Sequence, residues 1–440
     1  MFSKLTPSLA LRTLGAAMRL RAQARSFAAP TLGSGLSSHE CMDLEHKYGC
    51  FNYHPLEVVL VKGRGAEVWD AEGKHFFDFL SGYSALNQGH SHPKIIAALK
   101  AQADTLTLTS RAFYNNTLGP YEEFMCKTFG YDRLLPMNTG AEAVETAVKL
   151  CRKWAYEVKK VPAGRAKVIW CASNFHGRTL GAVSASTDPD SYHNYGPLVP
   201  GYVVVPYNNL QALEEAMQDP DVAGFIVEPI QGEAGVVVPD AGYLKGAFDM
   251  CRKHNVLFVA DEIQTGLCRT GKMFAVDHED VKPDMLILGK ALSGGTLPVS
   301  AVLGRDEVML TMRPGQHGST FGGNPLACAV ATAAVKVLID EKLAERAATL
   351  GAKLRRELDG LDPSVVTLVR GRGLLNAIVI EPRKGKTAWE LCVALKDNGL
   401  LAKPTRGDII RLAPPLVMTD AQMDQCIDIL RSTVSDFARL

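Results

Sequence analysis

The sequence predicts an α/β protein in which a large, mostly parallel sheet is followed by a smaller α+β unit. Three observations lead to this prediction. From about residue 86, short runs rich in β-branched residues alternate with helical stretches. These runs are apolar on both faces, as is typical of parallel strands that are covered by helices on each side. After Pro325 a long helical pattern begins, followed by strands near 366–381 and 409–412 and a final helix.

The individual elements follow in chain order. VVLVKGRG and EVWDAEGKHFFDF alternate in the way of short strands, with a turn at residues 71–73. The predicted strands of the large sheet are VIWCA, YVVVPY, GFIVEP, VLFVADE, MLILGK and VSAVLG. The predicted helices between them include AVETAVKLCRKWAYEV and LKGAFDMCRKH. In such a sheet ligands bind beyond the carboxyl ends of the strands.

Charge is distributed unevenly along the 440 residues. The whole chain has 48 basic and 47 acidic residues, a net charge of +1, which gives no reason to expect a nucleic-acid or membrane-surface partner. No acidic residue precedes Glu40, however, while Lys4 and four arginines do. This Arg-, Ser- and Ala-rich start indicates an amphipathic organelle-targeting presequence, most simply mitochondrial, rather than an ordinary disordered tail. We therefore expect a protein of the mitochondrial matrix.

The ten cysteines are scattered, with no C-x-x-C and no Cys/His cluster, which indicates a reduced compartment and no metal site. His90 and His92 have the spacing of some metal ligands, but a loop before a helix start explains them better. The expected organisation is a presequence (1–35), an N-terminal segment that packs with the small domain (36–85), a large domain (86–325) and a C-terminal small domain (326–440).

Polar residues at the strand ends indicate a specific chemistry. Asp261 and Glu262 end one apolar strand, and Lys290 ends the next one. A carboxylate at the end of a strand caps the following segment about as often as it has a functional role. A lysine at the end of a strand is often a surface residue. A lysine in a protected pocket, however, forms Schiff bases, and an aspartate is the usual partner of a pyridinium nitrogen. Gly140 and Ala141 precede a helix whose N-terminus favours a phosphate. Together these features predict a pyridoxal phosphate (PLP) site.

Seven motifs then identify a family resemblance. GHSHPKI, NTGAEAVETAVK, NFHGRTLGA, EPIQGEAGV, ADEIQTGLCRTGK, LGKALSGG and HGSTFGGNPLACA resemble the class III (ornithine-type) aminotransferases of PLP fold type I, from about residue 48 to the C-terminus. The resemblance implies a large domain with a mostly parallel seven-stranded sheet and a smaller α+β domain. It also implies a homodimer, or a higher homo-oligomer built of dimers.

The resemblance assigns cofactor roles to several residues. Lys290 would form the Schiff base with PLP and move the proton, and Asp261 would keep the pyridine nitrogen protonated. Gln264 would contact the ring hydroxyl side and the phosphate, and Phe175 would stack on the ring. His176 lies beside Phe175 in NFHGR, where the animal enzymes resemble NFWGR.

A second group would bind the phosphate. Gly140 and Ala141 would use backbone amides, while Ser319 and Thr320 would reach the phosphate of the neighbouring subunit.

The resemblance also implies the substrates. In the ornithine enzymes the δ-amino group of L-ornithine passes to a 2-oxo acid, here 2-oxoglutarate, and the product cyclises to pyrroline-5-carboxylate. Arg178 would bind the α-carboxylate, Tyr53 the α-amino group, and Tyr83 would shape the pocket. Arg411 would bind the carboxylate next to the reacting carbon of glutamate, and Glu233 would mask Arg411 when ornithine is bound. The alternatives are an acetylornithine or 4-aminobutyrate aminotransferase, a non-catalytic PLP-binding protein on the same fold, and an NAD-linked dehydrogenase, which the missing third glycine of a dinucleotide fingerprint disfavours.

Overall fold

The computed structural model of the chain describes residues 35–439. The predicted presequence therefore lies outside the described residues, apart from Gly35. Among the described residues, no helix is both long and apolar enough to cross a membrane. The strands of this part of the chain form one sheet of seven strands and two of four.

The first elements precede the large sheet. Helix α1 (Ser38–Tyr48) starts with a capping box and has no buried residue. The strands β1 (Leu60–Arg64), β2 (Glu67–Asp70) and β3 (His75–Asp78) form an antiparallel ladder. The short element α2 (Ser81–Ser84) comes shortly after β3, and all four of its residues have φ angles between 51° and 70°. It is therefore a left-handed turn rather than an ordinary helix.

The seven-stranded sheet forms the centre of the molecule. Its strands are β4 (Arg133–Met137), β5 (Lys167–Cys171), β6 (Tyr202–Val205), β7 (Val222–Val227), β8 (Leu257–Asp261), β9 (Met285–Leu288) and β10 (Ser300–Gly304). Their spatial order is β4-β10-β9-β8-β7-β5-β6. β10 is antiparallel to both of its neighbours, and all other neighbouring strands are parallel. The prediction of a mostly parallel sheet with seven strands is therefore confirmed.

One strand of this sheet does not follow from the pattern. β4 contains Pro136, and proline lacks the amide that a central strand needs. The structure places β4 at the edge of the sheet, where only one side requires hydrogen bonds. Its position explains why a proline is tolerated there.

Helices cover both faces of the large sheet. They include α3 (Pro93–Ala103), α4 (Leu118–Phe129), α5 (Gly140–Trp154), α6 (Leu180–Val183), α7 (Pro189–Tyr192), α8 (Leu210–Met217), α9 (Tyr243–Lys253), α10 (Asp306–Met309) and α11 (Pro325–Asp340). Successive side chains of β7 enter different cores: Phe225 packs in the core that includes α9, and Ile226 packs in the core beneath α5. This alternation buries both faces and explains the uninterrupted apolar strands.

The C-terminal part adds the remaining elements. They are the strands β11 (Val366–Arg372), β12 (Leu375–Ile380), β13 (Leu400–Leu401), β14 (Lys403–Thr405) and β15 (Ile409–Leu412), and the helices α12 (Leu343–Asp359), α13 (Ala388–Asp397) and α14 (Asp420–Ala438). Four of these strands form an antiparallel sheet in the order β11-β12-β15-β14. β13 instead pairs with β3 in parallel, so the N-terminal segment shares a sheet with the C-terminal part. The domain limits themselves stay a prediction.

Candidate active site

Lys290 lies just beyond the end of β9, where the chain leaves the large sheet. Its φ angle is 44°, and it begins a 3-10 turn that runs to Ser293. A side chain in this left-handed region is strained, and such strain is concentrated at functional sites. Burial lowers the pKa of the Lys290 amine, although the carboxylates of Glu233 and Asp261 oppose the shift. The amine is therefore easier to deprotonate than that of an exposed lysine.

Asp261 ends the neighbouring strand β8 and pairs with a histidine. Its Oδ2 atom lies 2.6 Å from Nδ1 of His176, and its Oδ1 atom accepts a hydrogen bond of 3.1 Å from the Ile263 amide. The two side chains are only 4% and 1% exposed. Burial disfavours the imidazolium, but the hydrogen bond to Asp261 and the charge of its carboxylate outweigh burial, so the pKa of His176 is raised. The geometry therefore favours a His176 ring that donates its Nδ1–H to Asp261, while Nε2 is buried without a hydrogen-bond partner within the described chain.

A cavity of about 220 Å³ joins these residues to the start of α5. Seven of the predicted site residues line it: Gly140, Ala141, Phe175, His176, Asp261, Gln264 and Lys290. A capping box between Thr139 and Glu142 begins the helix. The amides at a helix N-terminus carry a partial positive charge, so this wall of the cavity suits an anion.

A second group of polar residues adjoins the cavity through Gln264. Arg411 on β15 is fully buried, and its NH1 group donates to Oε1 of Glu233 and to Oε1 of Gln264, each at 3.1 Å. Its NH2 group donates to the Gly232 carbonyl at 3.0 Å. Burial opposes ionisation of Glu233, but the charges of Arg411 and Lys290 outweigh it and lower the pKa of this carboxyl. Glu233 therefore neutralises a guanidinium that would otherwise be available to another anion.

Two more predicted residues lie beside the cavity. Tyr83 belongs to the left-handed turn α2, and the centre of its ring is 5.2 Å from the guanidinium carbon of Arg411. Burial and the charge of Glu233 raise the pKa of Tyr83. Arg178 is exposed, and its guanidinium carbon lies 5.5 Å from the ring centre of Phe175. The left-handed backbone of α2 raises the free energy of the folded protein by roughly 1–2 kcal/mol for each residue that carries a side chain. Other contacts therefore have to stabilise α2.

Seven of the predicted site residues do not line this cavity, among them Tyr53, Ser319 and Thr320. Tyr53 is 76% exposed and lines a different cavity, of about 690 Å³, between α1 and α13. Ser319 accepts a hydrogen bond of 2.7 Å from Nδ2 of Asn138, and Thr320 is exposed. Ser319 and Thr320 thus lie outside the Lys290 cavity of their own chain.

Glu228 lines the cavity but carries no role in the sequence prediction. It follows β7 directly, and its carboxylate accepts hydrogen bonds from the amides of Phe175 at 2.9 Å and Gly232 at 3.1 Å. Burial raises the pKa of Glu228 to about 7, although the charge of His176 opposes the shift. A polar residue at the end of an apolar strand is the same signal that singled out Asp261, so the sequence GFIVEP contained the information needed to find it.

Comparison with known proteins identifies the family. Residues 48–434 match the family described as aminotransferase class-III. The chain belongs to the class III aminotransferases. Among curated relatives, the mitochondrial ornithine aminotransferase of Drosophila melanogaster is 59% identical over 434 residues, which cover 99% of each chain. The mitochondrial ornithine aminotransferase of Rattus norvegicus is 57% identical over 439 residues, which cover 99% of this chain and all of the relative.

Solved structures named as aminotransferases share the fold. An ornithine aminotransferase from Toxoplasma gondii, described with partial occupancy of PLP at its active site, is 53% identical with a TM-score of 0.89, covering 92% of this chain and 95% of its own. A protein named acetylornithine aminotransferase from Elizabethkingia anophelis is 58% identical with a TM-score of 0.85, covering 91% of this chain and 100% of its own. The prediction of a PLP-type aminotransferase fold is confirmed.

Proposed function

We propose that the chain is an ornithine δ-aminotransferase that uses pyridoxal 5'-phosphate. It transfers the δ-amino group of L-ornithine to 2-oxoglutarate and forms glutamate 5-semialdehyde, which cyclises to pyrroline-5-carboxylate, and glutamate. The two substrates enter the same site in turn. The observation that carries this proposal is that Lys290 and Asp261 line one cavity at the start of α5, in a chain 57–59% identical to enzymes named ornithine aminotransferase.

The side chains around the cavity fit this cofactor. The Lys290 amine would hold its aldehyde carbon, and the buried Asp261 carboxylate suits a protonated pyridine nitrogen. The amides of Gly140 and Ala141 suit a phosphate, and the Phe175 ring suits one face of an aromatic ring. When bound, PLP supplies an electron sink for the carbon that loses a proton.

The residues of the chain supply proton transfer and substrate binding. Lys290, whose pKa is lowered by burial, would take up and return the proton at the carbon that carries the reacting amine. Arg178 binds the α-carboxylate of ornithine at the mouth of the cavity. Arg411 binds the carboxylate next to the reacting carbon of glutamate once Glu233 moves aside. Ornithine has no carboxylate at that position, so Glu233 can stay paired with Arg411 when ornithine is bound, and one site serves both substrates.

Covalent labelling tests the proposed chemistry. Purified protein is expected to be yellow, and borohydride is expected to attach the chromophore to Lys290, as read by peptide mass spectrometry. Lys290→Ala should lose at least about 10³-fold in turnover, whereas Lys272→Ala, which changes an exposed lysine, should not. A colourless protein that reduces NAD would contradict the proposal. A yellow protein without turnover would indicate a non-catalytic PLP-binding protein.

A relative named acetylornithine aminotransferase supports the main alternative substrate. Rates with ornithine, acetylornithine and 4-aminobutyrate, each with 2-oxoglutarate, distinguish the candidates. We expect the highest kcat/KM with ornithine. A preference for acetylornithine would replace our substrate assignment.

Tyr83→Ile is expected to shift the substrate preference. Because the ring of Tyr83 lies 5.2 Å from the guanidinium carbon of Arg411 and would shape the substrate pocket, the ratio of kcat/KM for ornithine to that for 4-aminobutyrate should fall about tenfold or more. Tyr195→Ile, at an exposed position, is the matched control. An unchanged ratio would remove the role assigned to Tyr83.

We further propose a homodimer in the mitochondrial matrix. Ser319 and Thr320 lie outside their own Lys290 cavity, which agrees with a role at the phosphate of the neighbouring subunit. The relatives from Drosophila melanogaster and Rattus norvegicus are named as mitochondrial. Mixing inactive Lys290→Ala and Thr320→Ala proteins should restore activity, because one site of each mixed dimer keeps both residues. Failure of subunit exchange to restore activity would contradict the shared site.

A further inference from the structure

The position of Tyr83 depends on the unusual backbone of α2. Ser81, Gly82, Tyr83 and Ser84 have φ angles of 51°, 54°, 61° and 70°. Three of these four residues carry a side chain, and residues with side chains disfavour this conformation. The hydroxyl oxygens of Ser81 and Ser84 are buried and have no hydrogen-bond partner within the described chain, so the serine side chains do not stabilise the turn. Its stabilisation must come from neighbouring residues.

Asp78 holds the start of the turn. Its Oδ1 atom accepts hydrogen bonds from the amides of Leu80 and Ser81, each at 2.8 Å. Its Oδ2 atom lies 2.7 Å from Nε2 of His90. One carboxylate therefore joins the two amides that lead into α2 to a histidine that follows the turn.

His90 is itself held in place. Its amide and carbonyl pair with the carbonyl and amide of Gly65, at 2.8 Å and 3.0 Å. Its ring packs against Gly63 so closely that a Cβ atom at position 63 would come within 2.7 Å of it. The ring therefore has little freedom to turn away from Asp78.

The same segment is linked to both ends of the active site. Gln88 donates a hydrogen bond of 3.0 Å to the carbonyl of Ala291, the residue after Lys290. The carbonyl of Phe79 accepts a hydrogen bond of 2.7 Å from the amide of Ala413, two residues after Arg411. A change in the backbone between these contacts would move Tyr83 relative to both Lys290 and Arg411.

We propose that Asp78 and His90 are positioning residues that hold α2 in its left-handed conformation and thereby place Tyr83 for substrate discrimination. Neither residue lines the Lys290 cavity, so both act through Tyr83. The inference rests on the proposed function, because the discrimination concerns ornithine, with its α-amino group, against 4-aminobutyrate, which lacks one.

The test compares four holoenzymes: wild type, His90→Phe, Tyr83→Ile and the double variant. Phenylalanine keeps a ring against Gly63 but removes the hydrogen bond to Asp78. We expect His90→Phe to lower the ornithine to 4-aminobutyrate ratio of kcat/KM about fivefold or more, mainly through the KM for ornithine, and His90→Gln to restore most of it. In the Tyr83→Ile background, His90→Phe should change the ratio less than twofold. His92→Phe, whose native side chain faces Glu341 instead, is the matched control.

Hydrogen–deuterium exchange gives a readout that does not depend on turnover. The amides of Leu80 and Ser81 should exchange at least tenfold faster in His90→Phe than in wild type, and Asp78→Asn provides a second variant if His90→Phe fails to fold. Unchanged exchange, an equal loss of rate with both substrates, or the same change in ratio with and without Tyr83 would each overturn the inference. If the wild-type protein does not use ornithine, the proposed function is wrong. The exchange experiment then still tests whether Asp78 and His90 stabilise the left-handed turn α2.

Discussion

At the scale of single residues, the active site is a set of buried charges that are individually compensated. Asp261 pairs with His176, and Arg411 pairs with Glu233. A buried charge without a partner costs several kcal/mol, so each partner stabilises the charge of the other. The rule that polar residues end apolar strands predicted Asp261 and Lys290, and it would also have found Glu228. The pairing with His176 could not be predicted, because 85 residues separate the two partners along the chain.

His176→Phe tests the pairing. Phenylalanine fills a similar volume but removes the donor to Oδ2 of Asp261 and leaves only the Ile263 amide at Oδ1. A hydrogen bond to a charged group is worth about 1.5–3 kcal/mol. We expect kcat/KM to fall about 10- to 100-fold with both ornithine and 2-oxoglutarate, and the dissociation constant of PLP to rise. His193→Phe changes an exposed histidine and serves as the control. A variant with wild-type kinetics and PLP affinity would show that His176 only fills space.

At the scale of elements, residues close together in the sequence determine where a helix begins, but they do not determine the backbone conformation of the loop that follows a strand. Thr139 and Glu142 form the capping box of α5, a contact between residues three apart that the sequence pattern itself predicts. The left-handed turn α2 has no such signal, since SGYS contains one glycine and its conformation depends on Asp78 and His90. The loop after β8 is similar: Glu262 is fully buried, and its carboxylate accepts hydrogen bonds from the Thr265 hydroxyl and, at 2.9 Å, from the Val276 amide.

Glu262 predicts a pH dependence of stability. Burial raises its pKa to about 7, although its hydrogen bonds from Thr265 and Val276 oppose the shift. Between the usual pKa of a glutamate and pH 7, the folded protein therefore binds more protons than the unfolded chain. The free energy of unfolding thus falls as the pH rises, and the total decrease is up to roughly 3 kcal/mol. In Glu262→Gln this part of the decline should disappear. Urea unfolding at pH 5 and pH 8 measures this change in the free energy of unfolding, and Glu215→Gln, at an exposed position, is the control. An equal decrease between the two pH values in wild type and Glu262→Gln would contradict the assignment.

At the scale of the whole molecule, the active site lies where distant segments meet. Tyr83 comes from the N-terminal segment, Lys290 from the large sheet and Arg411 from β15. Arg269, in the loop after β8, connects the loop after α2 with the C-terminal part, because its guanidinium donates to Oδ1 of Asn87 and, at 2.9 Å and 2.6 Å, to the carbonyls of Leu374 and Pro414. Burial lowers the pKa of Arg269 to about 9.

Arg269→Met is expected to lower the free energy of unfolding of the protein. Methionine leaves two buried carbonyls and the Asn87 side chain without donors, which costs about 2–4 kcal/mol in total. The urea midpoint should fall while the m value stays constant. Arg313→Met removes an exposed arginine and should have no effect beyond about 0.5 kcal/mol. Equal midpoints for the two variants would show that the Arg269 contacts contribute nothing to stability.

The sequence by itself determined the alternation of strands and helices, the strand-end lysine and aspartate, and the start of α5. These features depend on the periodicity of apolar side chains and on contacts between residues a few positions apart, so they can be read from the order of the residues alone. Only the tertiary structure decided that His176 meets Asp261, that β4 tolerates a proline at the sheet edge, and that Tyr83 is held in a left-handed turn. Such contacts join residues far apart in the chain, and their energies arise from burial and from hydrogen-bond geometry that exist only once the core has packed.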